Sequence, residues 1–213
     1  MRKNRKAEKN KKTANRGRPP RKDERLNDLV MKAAALFYKK GYSNTTTREI
    51  AEAAGISKGL LYYYINTKED FLDLFIERLR QSFGGYNRKI LDELPFTSAA
   101  TAICRAIKEV ILGMDELQDM LLFWYRECGY MPRDRLRRIT EQEIMTVTFF
   151  EDIIKAGCDR GEFNVKDVHL VAYQIHALCI NWVLKRWDFK KRYSAEQYIT
   201  EVQKSTLAIL GCR

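Results

Sequence analysis

"SNTTTREIAEAAGISKGLLYYY", residues 43–64, carries the local signals from which the fold follows. Thr46 and Glu49 stand three residues apart, which is the spacing of a capping box, and this predicts a helix that begins near Thr47. Gly55 should end that helix, because glycine adopts the left-handed conformation of a helix C-terminus without steric cost. The first part of the segment is therefore a short capped helix.

A second short helix follows the glycine turn. Ser57 can cap its first turn, so we expect the helix to begin at Lys58. Leu61 and Ile65 lie four residues apart and should face inward, with Tyr64 beside them. Two short helices joined by a turn that contains glycine are typical of a helix-turn-helix, whose second helix enters the major groove of DNA.

The outward residues of this second helix have the chemistry that groove contact requires. Tyr62 and Tyr63 should point partly outward, where a phenol can donate a hydrogen bond to a phosphate. Lys58 lies in the first turn and could reach a base edge or a phosphate, while Gly59 allows the backbone to approach closely. Leu60 has no polar group, so the methyl group of thymine is its expected partner.

Helices are also predicted on both sides of this segment. Apolar residues recur at three and four positions over residues 23–40, and Gly41 follows as a natural end. Thr67 can cap a further helix that starts at Lys68 and covers residues 68–82. The Lys68 ammonium and the amino terminus of that helix would then face phosphate.

The rest of the chain indicates an all-α protein. The glycine pair at 84 and 85 should mark the end of the fourth helix, and no convincing strand alternation or repeat occurs. We therefore predict about nine helices, with a three-helix helix-turn-helix unit at the amino terminus and a larger helical part after it. Further helical patterns cover about 98–128, 134–158, 166–187 and 194–210.

The positive charge of the chain is concentrated in its first residues. The 213-residue chain has a formal net charge of +11, but residues 1–22 contain eleven Lys or Arg and one acid, so +10 of it lies there. With almost no apolar side chains, this segment should be a disordered basic arm. Arg16 and Arg18 flank a glycine and precede a proline, a pattern similar to the core of an AT-hook that binds the minor groove. A merely solvated tail is the alternative; a lipid-binding tail lacks an amphipathic anchor.

Several classes of function find no support in the sequence. No run of about 18 uncharged apolar residues is present, so we expect a cytoplasmic protein without a membrane partner. The five cysteines form no CxxC pair, and His169 and His176 have no apparent third ligand, so we expect no metal site and no cofactor. A nucleophile–base pair and a phosphate loop are also missing, which argues against an enzyme.

The residues from 41 to 72, "GYSNTTTREIAEAAGISKGLLYYYINTKEDFL", resemble the signature of the TetR family of bacterial transcription regulators. The resemblance covers about residues 23–72, and "IIKAGCDRGEF" at 153–163 is similar to a common helix-end segment. It implies a helix-turn-helix domain over 23–67 and a ligand-binding and dimerisation domain over 68–213. Carried over by position, it implies DNA contacts by Thr46, Thr47, Arg48, Ser57, Lys58, Gly59, Leu60, Tyr62, Tyr63 and Lys68, with Arg16 and Arg18 added from the arm.

Two positions depart from the pattern of the family. Leu60 stands where a small polar residue is commoner, which leaves the base preference open, and Ile65 replaces the usual phenylalanine, for which we expect only a repacked core.

Aromatic residues in the larger domain suggest a cavity for an apolar or aromatic effector, with core packing as the alternative. An acyl-CoA-like molecule is one candidate, given a loose resemblance to fatty-acid-responsive members of the family. The candidate ligand-binding residues are Phe123, Trp124, Glu127, Tyr173, Gln174 and His176.

We thus predict a homodimeric, sequence-specific regulator, a repressor that leaves its double-stranded DNA operator when it binds an effector. The resemblance implies that the last two helices pair with their copies, and inner or interface stripes are offered by Ala172, Ala177, Leu178, Val202, Thr206 and Leu210. The rival hypothesis is an architectural protein that binds AT-rich DNA through its arm with little sequence choice.

Overall fold

The computed structural model describes residues 22–127, 129 and 133–211, which contain helices and no strand. The all-α prediction is thereby confirmed for this part of the chain. Its ten α-helices, one more than the approximate number predicted, are α1 (Lys22–Lys40), α2 (Thr47–Ala54), α3 (Lys58–Tyr64), α4 (Asp70–Glu93), α5 (Ala99–Glu116), α6 (Gln118–Glu127), α7 (Arg133–Asp159), α8 (Val168–Leu184), α9 (Arg186–Arg192) and α10 (Ala195–Ile209).

The start of α4 differs from the prediction. Thr67 does not cap the helix; its backbone N–H and its hydroxyl both donate to the carboxylate of Asp70, at 3.0 Å each. The N–H of Asn66 donates to the same carboxylate at 2.7 Å. These hydrogen bonds, the one from the Thr67 N–H first, lower the pKa of Asp70. Asp70 therefore closes the turn between α3 and α4, and helical structure begins there rather than at Lys68.

Three other boundaries were wrong or incomplete. Helix α4 continues through the two glycines to Glu93, where a short 3₁₀ turn, Leu94–Phe96, ends it. The pattern over 98–128 is divided at Leu117 into α5 and α6. The pattern over 166–187 ends at Leu184, after which α9 forms a separate element.

The first three helices share a small core to which each contributes. Leu29 and Phe37 of α1, Ile50 of α2 and Leu61 of α3 are all buried, and so is Ile65 directly after α3. The inward orientation predicted for Leu61 and Ile65 is confirmed. Burying one face of α3 in this way leaves its opposite face to solvent.

An aromatic cluster joins this unit to the larger helical domain. The ring of Phe37 lies at its centre, and α1 packs extensively on α6. The neighbouring ring centroids are 5.0–6.0 Å from that of Phe37 and belong to Tyr42, Phe71, Phe75 and Phe123.

In the larger domain, α5 is the central helix and contacts α4, α7, α8 and α10. Within the described residues, no helix combines the length and the apolar character that a membrane crossing requires. The same part of the chain holds no cluster of three His, Cys, Asp or Glu side chains that could bind a metal ion.

Candidate nucleic-acid interface and cavity

The caps of α2 and α3 form as the sequence predicts. The Thr46 side chain accepts the N–H of Glu49, and the Glu49 side chain accepts the N–H of Thr46, so the capping box is complete. Gly55 has φ +66° and closes the end of α2. Ser57 accepts the N–H of Leu60 and caps α3. These local hydrogen bonds fix where both helices start.

Glu49 has a further partner outside its own helix. Its carboxylate forms an ion pair with Lys40 at the end of α1. The hydrogen bond from Lys40, followed by those from Thr46, lowers the pKa of Glu49 to about 2. The carboxylate therefore remains charged at neutral pH and ties the first turn of α2 to α1.

The exposed face of α3 gathers four of the predicted contact residues. Tyr62 is 44% exposed and Tyr63 67% exposed, while Lys58 and Gly59 are also open to solvent. The Tyr62 hydroxyl lies 3.3 Å from the hydroxyl oxygen of Thr47, so the first turn of α2 adjoins this face. The result is one continuous polar surface made by both helices.

Gly59 has room for a side chain within the protein. A methyl group added at its Cα would meet only the Ser57 hydroxyl oxygen, at 3.9 Å. Internal packing therefore does not require glycine at this position, whereas close approach of another molecule to the backbone would.

The remaining predicted contacts have more varied surroundings. Arg48 is exposed and pairs with Glu52 at 2.9 Å on the same helix. Leu60 is only half-buried, so part of its apolar surface remains accessible, and Tyr64 is half-buried against the core. Arg16 and Arg18, and all but the last residue of the predicted arm, lie outside the described residues.

Lys68 has a structural task that the sequence did not indicate. Its ammonium donates to the carbonyl oxygens of Tyr42 at 2.9 Å and of Thr45 at 3.2 Å. It also lies 4.3 Å from the centroid of the Tyr42 ring. Lys68 thus holds the loop that leads into α2, and its contact with phosphate stays a prediction.

A cavity of about 140 Å³ lies in the larger domain. Its apolar lining comes from five helices, α4 to α8. Among the lining residues are Leu79, Phe83, Met114, Leu121, Ile139 and Ile180. Tyr125, Leu136 and Thr140 line it while remaining exposed, so the cavity opens to solvent on that side.

A few polar groups reach the same cavity. Glu143 lies with its carboxylate 3.9 Å from Nδ1 of His176, too far for a hydrogen bond. Burial raises the pKa of Glu143 and lowers that of His176 to about 4, so the imidazole is neutral at pH 7. Trp124 also lines the cavity, but its indole N–H is enclosed by the protein rather than exposed to the cavity and has no hydrogen-bond partner among the described residues.

The structure brings together two of the six predicted ligand residues, Trp124 and His176. Phe123 belongs to the aromatic cluster around Phe37, and Glu127 pairs with Arg126 at 3.0 Å. The rings of Tyr173 and His169 meet edge to face, with 5.0 Å between their centroids, and Gln174 is exposed on α8.

Among the cavity residues that the sequence analysis did not name, Glu143 is the charged one. It lies four residues after Ile139 and four before Val147, both of which are buried, so it interrupts an apolar helix stripe with a carboxylate. A charged residue within such a stripe is the signal that could have found it.

The predicted dimer stripes are mostly internal. Ala172, Val202, Thr206 and Leu210 are buried within the subunit, Leu178 is half-buried, and Ala177 is exposed. Other apolar side chains of the last three helices and their connections are exposed instead: Leu170, Trp187, Tyr193 and Ile209.

The family of the chain follows from its comparison with known sequences. The sequence model described as "Bacterial regulatory proteins, tetR family" matches residues 29–74. The model described as "Tetracyclin repressor-like, C-terminal domain" matches residues 97–202. The chain belongs to the TetR family. It is a helix-turn-helix DNA-binding transcriptional regulator, as the sequence analysis predicted.

Relatives of this TetR family regulator extend over most of its length. The transcriptional regulator HbdR of Aromatoleum sp. (strain CIB) is 29% identical over 84% of this chain and 77% of its own. The transcriptional repressor KstR2 of Rhodococcus jostii (strain RHA1) is 27% identical over 78% of this chain and 80% of its own. The structure of AibR in complex with isovaleryl coenzyme A and operator DNA covers 89% of this chain and all of its own, with 18% identity and a TM-score of 0.65.

Proposed function

We propose that this regulator is a homodimeric repressor that binds one double-stranded DNA operator and leaves it when a small apolar or aromatic effector binds. The observation that carries the proposal is the exposed face of α3, with Lys58, Gly59, Tyr62 and Tyr63 opposite the buried Leu61. A helix of this kind fits the major groove, where the cation and the phenols meet base edges and phosphates.

The first turn of α2 is proposed to complete the contact. Thr46, Thr47 and Arg48 surround the start of this helix beside Tyr62, and two of them present hydroxyls. Hydroxyl and guanidinium groups beside a recognition helix position it on the DNA backbone, while α3 reads the bases. Ser57 caps α3, and Leu60 offers a half-buried apolar surface to a thymine methyl.

Dimerisation is proposed to use the outer surface of the last helices. Leu170 on α8 and Ile209 on α10 are exposed apolar residues of a kind that a partner subunit can bury. A two-fold dimer presents two α3 helices to half-sites about 34–36 Å apart, one turn of the duplex.

Two helices connect the cavity to the DNA-binding unit. On α4, Leu79 lines the cavity and Phe75 contacts Phe37. On α6, Trp124 lines the cavity and Phe123 contacts Phe37. An effector that shifts either helix therefore moves the side chains that pack against α1. In the dimer, this changes the distance between the two α3 helices. A preference of about 3 kcal/mol for the wrong separation weakens operator binding roughly 150-fold.

The effector is proposed to be a small apolar or aromatic molecule, and an acyl-CoA is one candidate. The lining of the cavity is largely apolar, and AibR has been solved with isovaleryl coenzyme A. A regulator of this type acts in the cytoplasm on chromosomal DNA and needs no catalytic machinery of its own.

Operator selection tests the function directly. The full-length protein is used to select sites from a random duplex pool, and its affinity for the selected site is compared with that for a scrambled duplex at one salt concentration. We expect a preference of about 10³-fold or more. Equal affinities would contradict the proposal and support the architectural rival.

Variants on α3 refine that test. Lys58→Ala and Tyr62→Phe should each weaken operator binding roughly ten-fold, since each removes one contact to DNA. Lys191→Ala and Tyr193→Phe, exposed residues at and just after the end of α9, are the matched controls and should leave operator binding unchanged. Removing residues 1–22 should flatten the salt dependence while the preference for the operator remains.

The release mechanism has its own test. Native mass spectrometry of the purified protein identifies a co-purified effector, and structures of the operator-bound and effector-bound dimers give the distance between the two α3 helices. Equal distances in both states would rule out release by a change of spacing.

A further inference from the structure

The cavity is small enough to constrain the group that it encloses. Its volume of about 140 Å³ is close to that of an apolar protein cavity of ~150 Å³ that holds one benzene molecule. A single six-membered ring, or a branched chain of similar size, therefore fills the enclosed part. Any larger portion of an effector must leave through the side marked by the exposed Tyr125 and Leu136.

The polar groups of the cavity require both a donor and an acceptor from the ligand. The carboxylate of Glu143 and Nδ1 of His176 are 3.9 Å apart, so an oxygen about 2.8 Å from each can lie between them. The Glu143 carboxylate accepts a hydrogen bond, and Nδ1 of His176 donates one in the tautomer that carries its proton on that nitrogen. A hydroxyl group supplies a donor proton and acceptor lone pairs together.

The charge of the lining disfavours a ligand with a buried carboxylate and, less strongly, a ligand with an ammonium group. Neither Lys nor Arg is among the described side chains that line the cavity, whereas Glu143 is. A buried carboxylate on the ligand would face Glu143 without a compensating cation, which is costly. An ammonium group could pair with Glu143, but it has no lone pair that could accept a hydrogen bond from Nδ1–H of His176.

The geometry points to an effector whose buried part is a single ring-sized apolar group that carries a neutral hydroxyl, held between Glu143 and His176. This inference rests on the proposed function only in naming the ligand an effector. The binding site itself is assigned from the cavity, so it is tested without DNA.

Three probes of similar size separate the alternatives. Phenol has the ring and the hydroxyl, toluene has a methyl group in place of the hydroxyl, and benzoate carries a negative charge. Binding to the full-length protein is measured by ligand-observed NMR at millimolar concentration. We expect phenol to bind about ten-fold more tightly than toluene, and benzoate to bind more weakly than either. Benzylamine is the fourth probe and should bind more weakly than phenol.

Two variants assign the contacts within the cavity. Glu143→Gln keeps the size of the side chain but removes the carboxylate, and His176→Leu keeps a side chain of similar size but removes Nδ1. Each should reduce phenol affinity about five- to ten-fold and leave toluene affinity nearly unchanged. The matched controls are Glu141→Gln, two residues away on the exposed side of α7, and His169→Leu, an exposed histidine on the same helix as His176.

The inference is overturned if no probe binds, if toluene or benzoate equals phenol, or if benzylamine binds most tightly. It is also overturned if Glu143→Gln and His176→Leu bind phenol like the unchanged protein. Because these measurements contain no DNA, their failure leaves operator recognition untouched. Conversely, a protein that binds phenol but selects no operator retains the site and loses the proposed function.

Discussion

At the scale of single residues, Gly59 separates the requirements of folding from those of DNA binding. It lies in the first turn of α3, is exposed, and has open space where a side chain would be. Gly59→Ala should therefore raise the free energy of unfolding by about 0.5–1 kcal/mol, because alanine favours the helix. The same methyl group should weaken operator binding at least several-fold, since it stands between the backbone and the groove.

Chemical denaturation and operator titration of the same preparation check both expectations. Gly84→Ala is the matched control, because Gly84 is also exposed, lies within α4 and has no neighbouring atom within 4 Å of an added methyl group. It should raise stability without changing DNA affinity. A Gly59→Ala variant that binds the operator normally would show that the backbone at this position does not approach DNA.

His176 makes stability depend on pH. Burial lowers its pKa to about 4 in the folded state, against 6.5 for the ordinary group. Between these values the unfolded chain binds the proton more readily, so stability falls as the pH drops below about 6.5 and is unaffected by His176 above it. The loss between about pH 7.5 and pH 5.5 should be about 1 kcal/mol.

Urea unfolding at the two pH values, with His176→Gln as the comparison, measures this contribution. Glu143 acts in the opposite sense, because its raised pKa makes the folded state take up a proton first as the pH falls. The difference between the protein and His176→Gln removes that shared contribution. His169→Gln, an exposed histidine on the same helix, should retain the pH dependence; an unchanged dependence in His176→Gln would exclude His176 as its source.

The role of a residue could be predicted from the sequence when its hydrogen-bond partner lies only a few positions away along the chain. The caps by Thr46 and Ser57 join residues three positions apart, so the pattern alone predicted them. Lys68 donates to carbonyls 23 and 26 residues earlier, and Trp124 and His176 meet only across the fold. Backbone acceptors leave no sequence signal, which is why the role of Lys68 was missed.

At the scale of elements, the end of α7 holds the start of α5. Glu162, just after α7, accepts the N–H of Ala99 at 2.7 Å. Arg160 donates to the carbonyl oxygens of Leu94 and Thr97 at 2.8 Å each. The segment that resembled a common helix-end pattern is thus a link between two helices distant in sequence, and it satisfies groups that the helix ends would leave unpaired.

The packing around this link requires glycine at position 157. A methyl group at its Cα would lie 2.2 Å from the ring of Phe163 and 2.9 Å from Cβ of Ala99. Gly157→Ala should therefore lower the free energy of unfolding by about 1–3 kcal/mol, although alanine favours a helix. Thermal or urea unfolding checks the sign, and a stabilised variant would mean that α7 and Phe163 do not pack as described.

Helix identity was easier to predict than helix length. Gly84 and its neighbour suggested an end, but α4 continues to Glu93 because its buried Ile90 packs in the core beyond the glycines. Leu117, which separates α5 from α6, is neither proline nor glycine, so no local signal predicted this break. Tertiary packing determines both boundaries, and a local sequence pattern carries little information about tertiary packing.

At the scale of the whole molecule, the two domains are joined by a polar contact beside the aromatic cluster. The ring of Tyr38 on α1 lies 5.5 Å from the guanidinium of Arg126 and 5.0 Å from that of Arg186. Arg126 also donates to the carbonyl oxygen of Phe37 at 2.8 Å, and Arg186 to Asp119 at 2.9 Å. Helices α6 and α9 therefore hold the same turn of α1, from which the position of α3 follows.

Tyr38→Leu tests whether this contact fixes the DNA-binding unit to the larger domain. The substitution keeps apolar volume but removes the aromatic face for both guanidinium groups, so stability should fall by about 1–2 kcal/mol. Hydrogen exchange should accelerate in α1 and α6 while α10 remains protected, because the loosened interface lies between the former two. Tyr193→Leu, a 47% exposed tyrosine far along the chain, is the control and should change neither. Equal hydrogen-exchange rates in Tyr38→Leu and in the unchanged protein would mean that the aromatic cluster around Phe37 alone sets the orientation of α1. The two arginines would then contribute nothing to it.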